Sequence, residues 1–237
     1  MFPVVILAGG LATRLGKLTE KIPKSLLQIN NEPFLYWQLK LLEEYEFTEV
    51  YLLISHFENQ ILDFIGDGSK FNLKINHISD GEIPLGTGGA ILKSLSKLPE
   101  NFFLLYGDSY LDIDYSKMEK YYMQGDFDFL MGICSKADQY NFTPNVVFSS
   151  GKVQKYSKNK NNSSMEYEDF GVSLISKSVF LNFKGEEYKD LGSITSVLAD
   201  QGTISGYLFQ EKYYEVGSEI GIRLTTKYLR EKYGIHK

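Results

Sequence analysis

Near the start of the chain, a short apolar run ends in two glycines, and this pattern narrows the possible folds more than any other in the sequence. The segment VVILAGGLATRL begins with the apolar run at residues 4–8 and continues through Gly9 and Gly10. An uninterrupted run of this kind predicts a strand buried on both faces of a parallel sheet. Glycines let the backbone approach a ligand, and successive N–H groups there can form an anion-binding nest, so the turn is a candidate phosphate site.

Strand-like and helix-like patterns alternate along the first half of the chain. The strand-like runs are residues 4–8, 50–55, 74–78 and 102–106, and helical periodicity occupies residues 33–44, 58–66 and 88–98. This alternation predicts right-handed βαβ crossovers and an α/β fold with a Rossmann-like, mostly parallel central sheet flanked by helices. Such sheets bind ligands outside the carboxyl ends of their strands, where the glycine turn would lie.

The second half of the chain is richer in strand-like runs. These runs are residues 127–134, 145–148, 153–156 and 170–175, while residues 194–201 and 219–233 have helical patterns. The polar, aperiodic residues 157–168 predict a surface loop. Because there is no internal repeat and no Pro-rich linker, we predict a single domain over residues 1–237, with a small β-rich portion in its C-terminal half.

Composition excludes several classes of partner. Of the 237 residues 43% are hydrophobic, enough for a sizeable core, and a net charge of −5 offers no positive field to nucleic acid or an anionic membrane. No apolar run approaches the ~20 residues that cross a bilayer, and no signal peptide is recognisable. Cys134 is the one cysteine, so an intrachain disulfide is excluded and we expect a cytoplasmic protein. The oligomeric state stays open, a homo-oligomer included.

Donor groups suited to phosphate follow the glycine turn. Thr13 supplies a hydroxyl, Arg14 a fork of N–H donors, and Lys24 an ammonium that directly follows a proline. The spacing fits neither a G-x-G-x-x-G dinucleotide fingerprint nor a Walker loop, which has four residues before its Gly-Lys pair, whereas five separate Gly10 from the next glycine. These residues favour a triphosphate ligand. A tight turn with a surface arginine is the alternative.

Several short motifs follow one another along the chain. They are L-A-G-G-x-x-T-R-L from residue 7, P-K-x-L-L-x-I from residue 23, P-L-G-T-G-G-A from residue 84, Y-G-D-S from residue 106, D-F-G-V from residue 169 and Y-E-V-G-S from residue 214. In this order they resemble the signature of the sugar-phosphate nucleotidylyltransferases, and residues 145–156 are similar to a further stretch of that family. The P-L-G-T-G-G-A form resembles the heptose 1-phosphate and mannose 1-phosphate guanylyltransferases.

The resemblance implies an enzyme that transfers NMP from an NTP to a sugar 1-phosphate and releases pyrophosphate, so that both partners are small molecules. It implies Mg²⁺ as the cofactor, with Asp108 and Glu215 as metal ligands. It also implies catalytic roles for Arg14 on the β- and γ-phosphates and for Lys24 on the α-phosphate or the incoming sugar phosphate. Positive charge at these positions suits a transition state that gathers negative charge.

The resemblance further assigns the NTP to residues 1–125 and the acceptor to residues 126–237. The implied nucleotide-binding residues are Leu7, Ala8, Gly9, Gly10, Thr13, Arg14, Pro84, Gly86, Thr87, Gly88 and Gly89. The implied acceptor-binding residues are Lys24, Asp108, Asn145, Lys158, Asp169 and Gly171. This interpretation requires that groups far apart in sequence converge on one magnesium-bound polyphosphate.

Some positions depart from the family pattern. Ala12 occupies a position where the family usually has glycine, Glu215 one where it usually has aspartate, and Asp169 one where asparagine is common. Lys158 begins the dipeptide that stands where the family has Glu-Lys, so the basic contact to the acceptor comes from Lys158 or Lys160, or is missing. Most of these departures concern the acceptor, whose identity stays open.

The choice of nucleotide rests on the resemblance alone. The L-G-T-G-G-A form favours GTP, and the segment lacks the pattern of the thymidylyl relatives. A glutamate in Y-E-V is also similar to cytidylyltransferases that act on sugar 1-phosphates or small phosphorylated acceptors, so CTP is the main alternative, ahead of UTP and dTTP. An inactive relative that binds nucleotide sugars is a further alternative.

The other candidates for metal binding or nucleophilic chemistry have structural interpretations. The three histidines are scattered, which argues against zinc. Asp112 and Asp114 lack the spacing of an EF-hand, so we expect them to be solvated or to cap a helix. Cys134 lies inside an apolar run and is predicted to belong to the core.

Overall fold

The structure, a computed structural model, describes residues 1–10, 16, 21–81, 83–136, 142–158, 164–183 and 190–235. The strands are β1 (Val4–Leu7), β2 (Gln28–Ile29), β3 (Glu32–Pro33), β4 (Glu49–Ile54), β5 (Lys74–Ser79), β6 (Asn101–Tyr106), β7 (Ser109–Tyr110), β8 (Phe129–Ser135), β9 (Val146–Ser149), β10 (Lys152–Tyr156), β11 (Tyr167–Ser176), β12 (Ile204–Phe209) and β13 (Tyr214–Glu215). The helices are α1 (Phe34–Glu44), α2 (Glu58–Ile65), α3 (Gly86–Ser94), α4 (Tyr115–Gln124), α5 (Leu191–Asp200) and α6 (Glu219–Tyr233), with 3-10 helices at Lys24–Leu26 and Lys177–Phe183.

Nine of the strands form one sheet in the order β5-β4-β1-β6-β11-β8-β12-β10-β9. Its first four strands are parallel, so their carboxyl ends meet at one edge. β11 is antiparallel to β6 and β8, while β8 and β12 are parallel to each other. β9 pairs with both β10 and β11, which makes the second half a compact β-rich portion. The predicted α/β class with a Rossmann-like sheet is confirmed, with mixed strand directions in its C-terminal half.

Alternate residues of the central strands pack on opposite faces of the sheet. Val4 and Ile6 of β1 belong to one apolar cluster, whereas Val5 and Leu7 belong to the other. The same alternation divides the residues of β6 between the two clusters. Because both faces are covered, these strands carry continuous apolar runs, and burial of each large aliphatic side chain contributes about 1.5–3 kcal/mol.

A third apolar cluster joins elements outside the large sheet. It contains Trp37 of α1, Tyr110 of β7, Val216 after β13 and Leu229 of α6. β7 and β13 pair antiparallel in a two-stranded sheet of their own, with Tyr214 opposite Tyr110. This cluster therefore fixes the position of the β7–β13 pair, which carries residues of the candidate site.

Three helix boundaries show how local sequence sets the ends of an element. The side chain of Ser218 accepts a hydrogen bond from the N–H of Gly221 at 2.9 Å, and Gly234, which directly follows α6, has a φ of +62°. These are the capping groups that begin and end helices, and the predicted bounds 219–233 are confirmed. The carboxyl of Asp114 accepts from the N–H of Lys117 at 3.1 Å, which confirms the expected capping role at the start of α4.

Several elements differ from the sequence prediction. β12 and α4 were not predicted, although β12 lies in the middle of the second half of the sheet. β11 begins at Tyr167, inside the stretch predicted as a loop, because its polar residues there pair with β8 and β9. α3 begins at Gly86 rather than residue 88. Among the residues that the structure describes, no helix combines the length and the apolar character that a bilayer crossing needs.

Candidate functional site

The glycine turn after β1 lies between the ends of β4 and β6. The N–H of Ala8 donates to the carbonyl of Leu53 at 2.9 Å, and the hydroxyl of buried Ser55 donates to the carbonyl of Gly9 at 2.9 Å. These contacts fix the backbone of the turn as far as Gly10. The nearby predicted residues Thr13 and Arg14 lie outside the described residues.

A cavity of about 460 Å³ opens along the carboxyl ends of the four parallel strands. This is within the size range of small-molecule sites. Its lining residues are Leu7, Ala8, Gly9, Gly10, Lys24, Ser25, Leu53, Asp80, Pro84, Leu85, Gly86, Thr87, Ala90, Tyr106, Gly107, Asp108, Lys158 and Asp190. β5 and β6 are three strand spacings apart, or about 14 Å, so the edge of the sheet along the cavity is long enough for an extended nucleotide.

Asp108 is held beside the glycine turn by the close approach of β6 to β1. The N–H of Gly107 donates to the carbonyl of Leu7 at 3.1 Å. A Cβ atom on Gly107 would lie 2.6 Å from that carbonyl oxygen and 2.8 Å from Cα of Ala8. Only glycine fits there, and its absence of a side chain brings the next residue, Asp108, to the cavity wall.

Lys24 reaches Asp108 from a distant part of the chain. Lys24 begins the 3-10 helix Lys24–Leu26, and its Nζ lies 2.8 Å from Oδ2 of Asp108, 84 residues further on. The side chains are 18% and 35% exposed, so the pair is open enough to exchange partners with a ligand. The predicted convergence of these two residues on one site is therefore present in the structure.

Glu215 joins the same site through the β7–β13 pair. Glu215 lies opposite Ser109 in that pair, and the N–H of Val216 donates to the carbonyl of Asp108 at 2.9 Å. A Cβ atom on Gly217 would lie 2.7 Å from Oε2 of Glu215, 3.0 Å from Nζ of Lys24 and 3.4 Å from Oδ2 of Asp108. One ammonium and two carboxylates thus surround a single point that glycine leaves clear.

The donor set of this point suits a hard divalent cation. Magnesium is commonly held by one or two carboxylates together with phosphate oxygens and water. The carboxylate of Glu215 accepts hydrogen bonds from the N–H of Gly217 and the hydroxyl of Ser218, which fix its orientation. Within the described part of the chain no group of three or more His, Cys, Asp or Glu side chains could hold a metal by itself, so oxygens from water or a substrate would complete the coordination of a cation here.

The P-L-G-T-G-G-A segment divides between the cavity and the interior of α3. Pro84, Gly86 and Thr87 line the cavity, whereas Gly88 and Gly89 lie within the helix and outside the lining. The hydroxyl of Thr87 donates to Oδ1 of Asp190 at 3.2 Å and accepts from the N–H of Leu191 at 2.9 Å. Thr87 therefore ties α3 to the start of α5.

Asp80 is a cavity residue that the sequence analysis missed. It directly follows β5, where its N–H donates to the carbonyl of Ile54 at 2.9 Å. Its Oδ2 accepts from the N–H of Leu85 at 3.2 Å. Burial raises the pKa of Asp80, partly offset by the hydrogen bond from Leu85 and the charge of Lys93. Its position after a parallel strand was the signal that could have found it.

Asp169, Asn145 and Gly171 form a second cluster beside the cavity. The N–H of Asp169 donates to Oδ1 of Asn145 at 2.9 Å, and the N–H of Gly171 donates to Oδ1 of Asp169 at 2.9 Å. The hydroxyl of Tyr106 lies 3.5 Å from Oδ2 of Asp169, and Tyr106 itself lines the cavity. Burial raises the pKa of Asp169 to about 6, against the opposing effects of the Gly171 N–H, the charge of Lys158 and the tyrosine hydroxyls.

Lys158 lies at the cavity mouth in an ion pair with Asp190. Nζ of Lys158 is 2.5 Å from Oδ1 of Asp190, and both side chains are more than 40% exposed, at 48% and 42%. Burial by itself would raise the pKa of Asp190, but the hydrogen bond and charge of Lys158 outweigh it and lower that pKa. Asp190 also caps α5, accepting from the N–H of Gly192 at 3.3 Å.

The structure thus separates the predicted site residues into three groups. Lys24, Asp108 and Glu215 meet at one point, and the glycine turn and the start of α3 line the same cavity. Asn145, Asp169 and Gly171 lie outside that lining and reach it through Tyr106. Cys134 is buried in β8, as predicted.

Comparison with known proteins identifies the family. The model of the Nucleotidyl transferase family matches residues 3–142. The D-glycero-alpha-D-manno-heptose 1-phosphate guanylyltransferase of Campylobacter jejuni is 37% identical over 115 residues, which cover 48% of this chain and 51% of that protein. The enzyme of that description from Aneurinibacillus thermoaerophilus is 28% identical over 177 residues, or 74% of this chain and 75% of its own length.

A relative named for a different nucleotide and a solved structure also match this chain. The glucose-1-phosphate thymidylyltransferase of Streptomyces griseus is 32% identical over 108 residues, or 45% of this chain and 30% of its own length. The match therefore spans half or less of the length of some curated relatives. The crystal structure of HddC from Yersinia pseudotuberculosis complexed with GMP-PN has a TM-score of 0.82 at 23% identity, covering 97% of this chain and 100% of HddC, and thus shares its fold. The chain belongs to the Nucleotidyl transferase family.

Proposed function

We propose that this protein transfers a nucleoside monophosphate from an NTP to a sugar 1-phosphate. A phosphate oxygen of the sugar forms a bond to the α-phosphorus, the bond from that phosphorus to the bridging β-phosphate oxygen breaks, and pyrophosphate leaves. The observation that carries the proposal is the convergence of Lys24, Asp108 and Glu215 on one point beside a glycine-lined cavity. A reaction of this kind needs positioning and charge neutralisation rather than a protein nucleophile.

Each residue at the phosphate end has a definite task in this proposal. Lys24, released from Asp108, neutralises the α-phosphate as charge accumulates there, and the resemblance assigns the leaving pyrophosphate to Arg14. The backbone N–H groups after β1 bind phosphate oxygens. Asp108 and Glu215 would hold Mg²⁺, which when bound lowers the charge of the polyphosphate. Among the residues that the structure describes, the buried hydroxyl of Ser25 has no hydrogen-bond partner, and Ser25 lines the cavity, so the hydroxyl can donate to a ligand.

The base is proposed to lie at the opposite end of the cavity, beside Asp80, Pro84 and Leu85. Asp80 is separated from Asp108 by three strand spacings, about 14 Å, which matches a nucleotide extended along the strand ends. A carboxylate accepts hydrogen bonds and donates none when ionised. Guanine offers two adjacent donors, N1–H and the exocyclic amine, whereas uracil and thymine flank their one donor with carbonyl oxygens. This chemistry favours GTP.

The acceptor is proposed to lie on the side of Tyr106, toward Asp169 and Lys158. A sugar hydroxyl can donate to Asp169 or accept from the hydroxyl of Tyr106, and Lys158 brings positive charge to the cavity mouth. Gly171 and Asn145 hold Asp169 by backbone and side-chain hydrogen bonds. The product would be an activated sugar, which a glycosyl-transferring reaction consumes.

The test is pyrophosphate release with Mg²⁺, each of the four NTPs and a panel of sugar 1-phosphates. We expect release with GTP and one class of sugar 1-phosphate. Release with CTP alone would replace the guanylyl assignment by the cytidylyl alternative. No release with any pair, together with measurable binding of a nucleotide sugar, would overturn the enzyme and leave the inactive relative.

A substitution at the proposed base end tests the nucleotide assignment directly. Asp80→Asn replaces one acceptor oxygen by an amide NH₂ group, a donor that cannot accept a hydrogen bond from the donors of guanine. We expect kcat/KM for GTP to fall about 10- to 100-fold, the range for the mismatch of one or two buried hydrogen bonds, with a smaller fall for CTP. Equal effects on both nucleotides would contradict the placement of the base beside Asp80.

A further inference from the structure

Gln38 is a buried polar residue on α1, among the apolar residues that face the core. Gln38 is only 3% exposed to solvent. Its Nε2 donates to the carbonyl of Tyr106 at 3.1 Å and to the carbonyl of Ser109 at 2.8 Å. These two carbonyls lie on either side of Gly107 and Asp108. One amide group therefore bridges both ends of the turn that carries Asp108.

The orientation of this amide is fixed by its partners. Both partners are carbonyl oxygens, which accept hydrogen bonds, so only the NH₂ end of the amide can face them. The Oε1 atom is then buried without a hydrogen-bond partner in the described part of the chain. A buried acceptor without a partner opposes folding. An apolar side chain of similar length would fill the same space on α1, so packing alone does not account for an amide at this position.

The amide is one of three constraints on the same turn. From β1, the carbonyl of Leu7 accepts from the N–H of Gly107, and from β13 the N–H of Val216 donates to the carbonyl of Asp108. Those two contacts fix the start and middle of the turn. The contacts of Gln38 to Tyr106 and Ser109 close it from the α1 side. Together they set where the carboxylate of Asp108 lies relative to that of Glu215.

We propose that Gln38 is a positioning residue for the cation site, holding the turn of Asp108 so that its carboxylate and that of Glu215 face one divalent ion. This inference rests on the proposed function and adds a residue to it. Supporting groups behind metal ligands alter affinity or activity by about 10- to 100-fold when removed. Gln38 touches neither the ion nor the substrate, so its effect should pass through Asp108.

Gln38→Met tests the proposal, because methionine has nearly the same length and shape but no N–H group. The full-length protein is titrated with Mn²⁺ in the presence of a nonhydrolysable GTP analogue, and the bound ion is followed by its electron paramagnetic resonance. We expect an increase of about 10-fold or more in the Mn²⁺ dissociation constant, a similar fall in kcat and little change in the KM for GTP.

Tyr115→Phe is the matched control. The hydroxyl of Tyr115 is also a buried donor to a backbone carbonyl, that of Leu111 at 2.9 Å, but it lies outside the cavity lining. We expect both variants to lower Tm by about 2–4 °C, and only the variant at Gln38 to alter Mn²⁺ binding. Restored Mn²⁺ affinity in Gln38→Asn is not expected, because the shorter amide cannot reach both carbonyls.

The outcomes separate this inference from the proposed function. Unchanged Mn²⁺ affinity and kcat in a folded Gln38→Met protein would overturn the positioning role while leaving the enzyme intact. If Gln38→Met does not fold, Gln38→Leu provides the same measurement. A wild-type protein that binds Mn²⁺ with the analogue but releases no pyrophosphate would instead remove the transferase proposal and leave the cation site open to the same test.

Discussion

The two charged regions of the cavity are built differently. At the phosphate end, Lys24, Asp108 and Glu215 are partly exposed and meet at one point. Main-chain contacts from β1, β7 and β13 hold two of them in place. On the proposed acceptor side, Asp169 lies beside the cavity, where neutral hydrogen-bond donors hold it and burial raises its pKa. The first region can exchange its ion pair for a cation and a polyphosphate, whereas the second presents a carboxyl group that neutral hydroxyls can recognise.

This difference separates the chemistry from the choice of acceptor. Transfer of a nucleotidyl group needs the same charges whichever sugar is used, and rigid main-chain contacts keep those charges in place. Recognition of a sugar needs hydrogen bonds to hydroxyl groups, which side chains around Tyr106 and Asp169 can supply. The departures from the family pattern at Lys158 and Asp169 fall in the second region. Variation in substrate would therefore be concentrated there.

The largest expected effect compares the two cavity lysines. Lys24→Ala removes the ammonium next to the reacting phosphate, so we expect kcat/KM to fall by about 10²- to 10³-fold without unfolding. By the resemblance, Arg14→Ala should have an effect of the same order. Lys158→Ala removes a more exposed ion pair, and we expect a smaller effect, carried mainly by the KM of the sugar 1-phosphate. Steady-state kinetics with both substrates varied measures the two effects.

In the proposed function, Lys24 also competes with a cation for Asp108. Its ammonium is 2.8 Å from Oδ2, so in the nucleotide-free protein it neutralises a carboxylate that the ion would use. Lys24→Met should therefore bind Mn²⁺ more tightly than wild type in the absence of nucleotide, although it is less active. Weaker or unchanged Mn²⁺ binding by this folded variant would contradict the placement of Lys24 at the cation site.

A methyl group at Gly217 should disturb the phosphate end without removing any charge. In Gly217→Ala the new Cβ would lie 2.7 Å from Oε2 of Glu215 and 3.0 Å from Nζ of Lys24, closer than such atoms pack. We expect a loss of about 10- to 100-fold in kcat, because the two carboxylates can no longer adopt the same arrangement. Gly151→Ala is a control for the effect of alanine at a glycine, since no atom of the described residues lies within 4 Å of its Cβ position, although its φ of +77° will lower stability. A kcat loss of equal size in both variants would argue against a specific role for Gly217.

The raised pKa of Asp169 should make the stability of the protein depend on pH. Burial raises the pKa of Asp169 from 3.8 to about 6, so between these pH values the folded state holds a proton that the unfolded state has lost. The free energy of unfolding therefore falls as pH rises through this interval. Asp169→Asn removes that penalty. We expect the variant to gain on the order of 1 kcal/mol over wild type at pH 8 and to lose this advantage near pH 4, as measured by urea unfolding.

Asp112 provides a control of opposite sign. Burial would raise the pKa of Asp112, but hydrogen bonds from Lys232, Tyr228 and Tyr45 outweigh it and lower that pKa. Its stabilising effect is therefore present above the unfolded-state pKa and is lost as pH falls through the folded-state value. Asp112→Asn should be less stable than wild type at pH 8. If both variants changed stability in the same direction at pH 8, the electrostatic account of Asp169 would fail.

The sequence alone determined what depends on neighbours along the chain. Residues 4–8 predicted β1, and helical periodicity predicted the bounds of α6. A glycine and an aspartate directly after a buried strand placed Asp108 at the binding edge. Each of these features is decided within a few residues, since hydrophobic periodicity and capping are local effects.

The packing of distant elements, in contrast, determines which groups lie together in the site. Glu215 reaches Asp108 because β13 pairs with β7, and Gln38 reaches the same turn because α1 packs beneath it. Asp80 enters the cavity because β5 is parallel to β4 at the edge of the sheet. A position directly after a parallel strand marks Asp80 as a candidate, but no local pattern states which groups it will lie beside. These approaches follow from strand order and from the packing of apolar faces, which are properties of the whole folded chain.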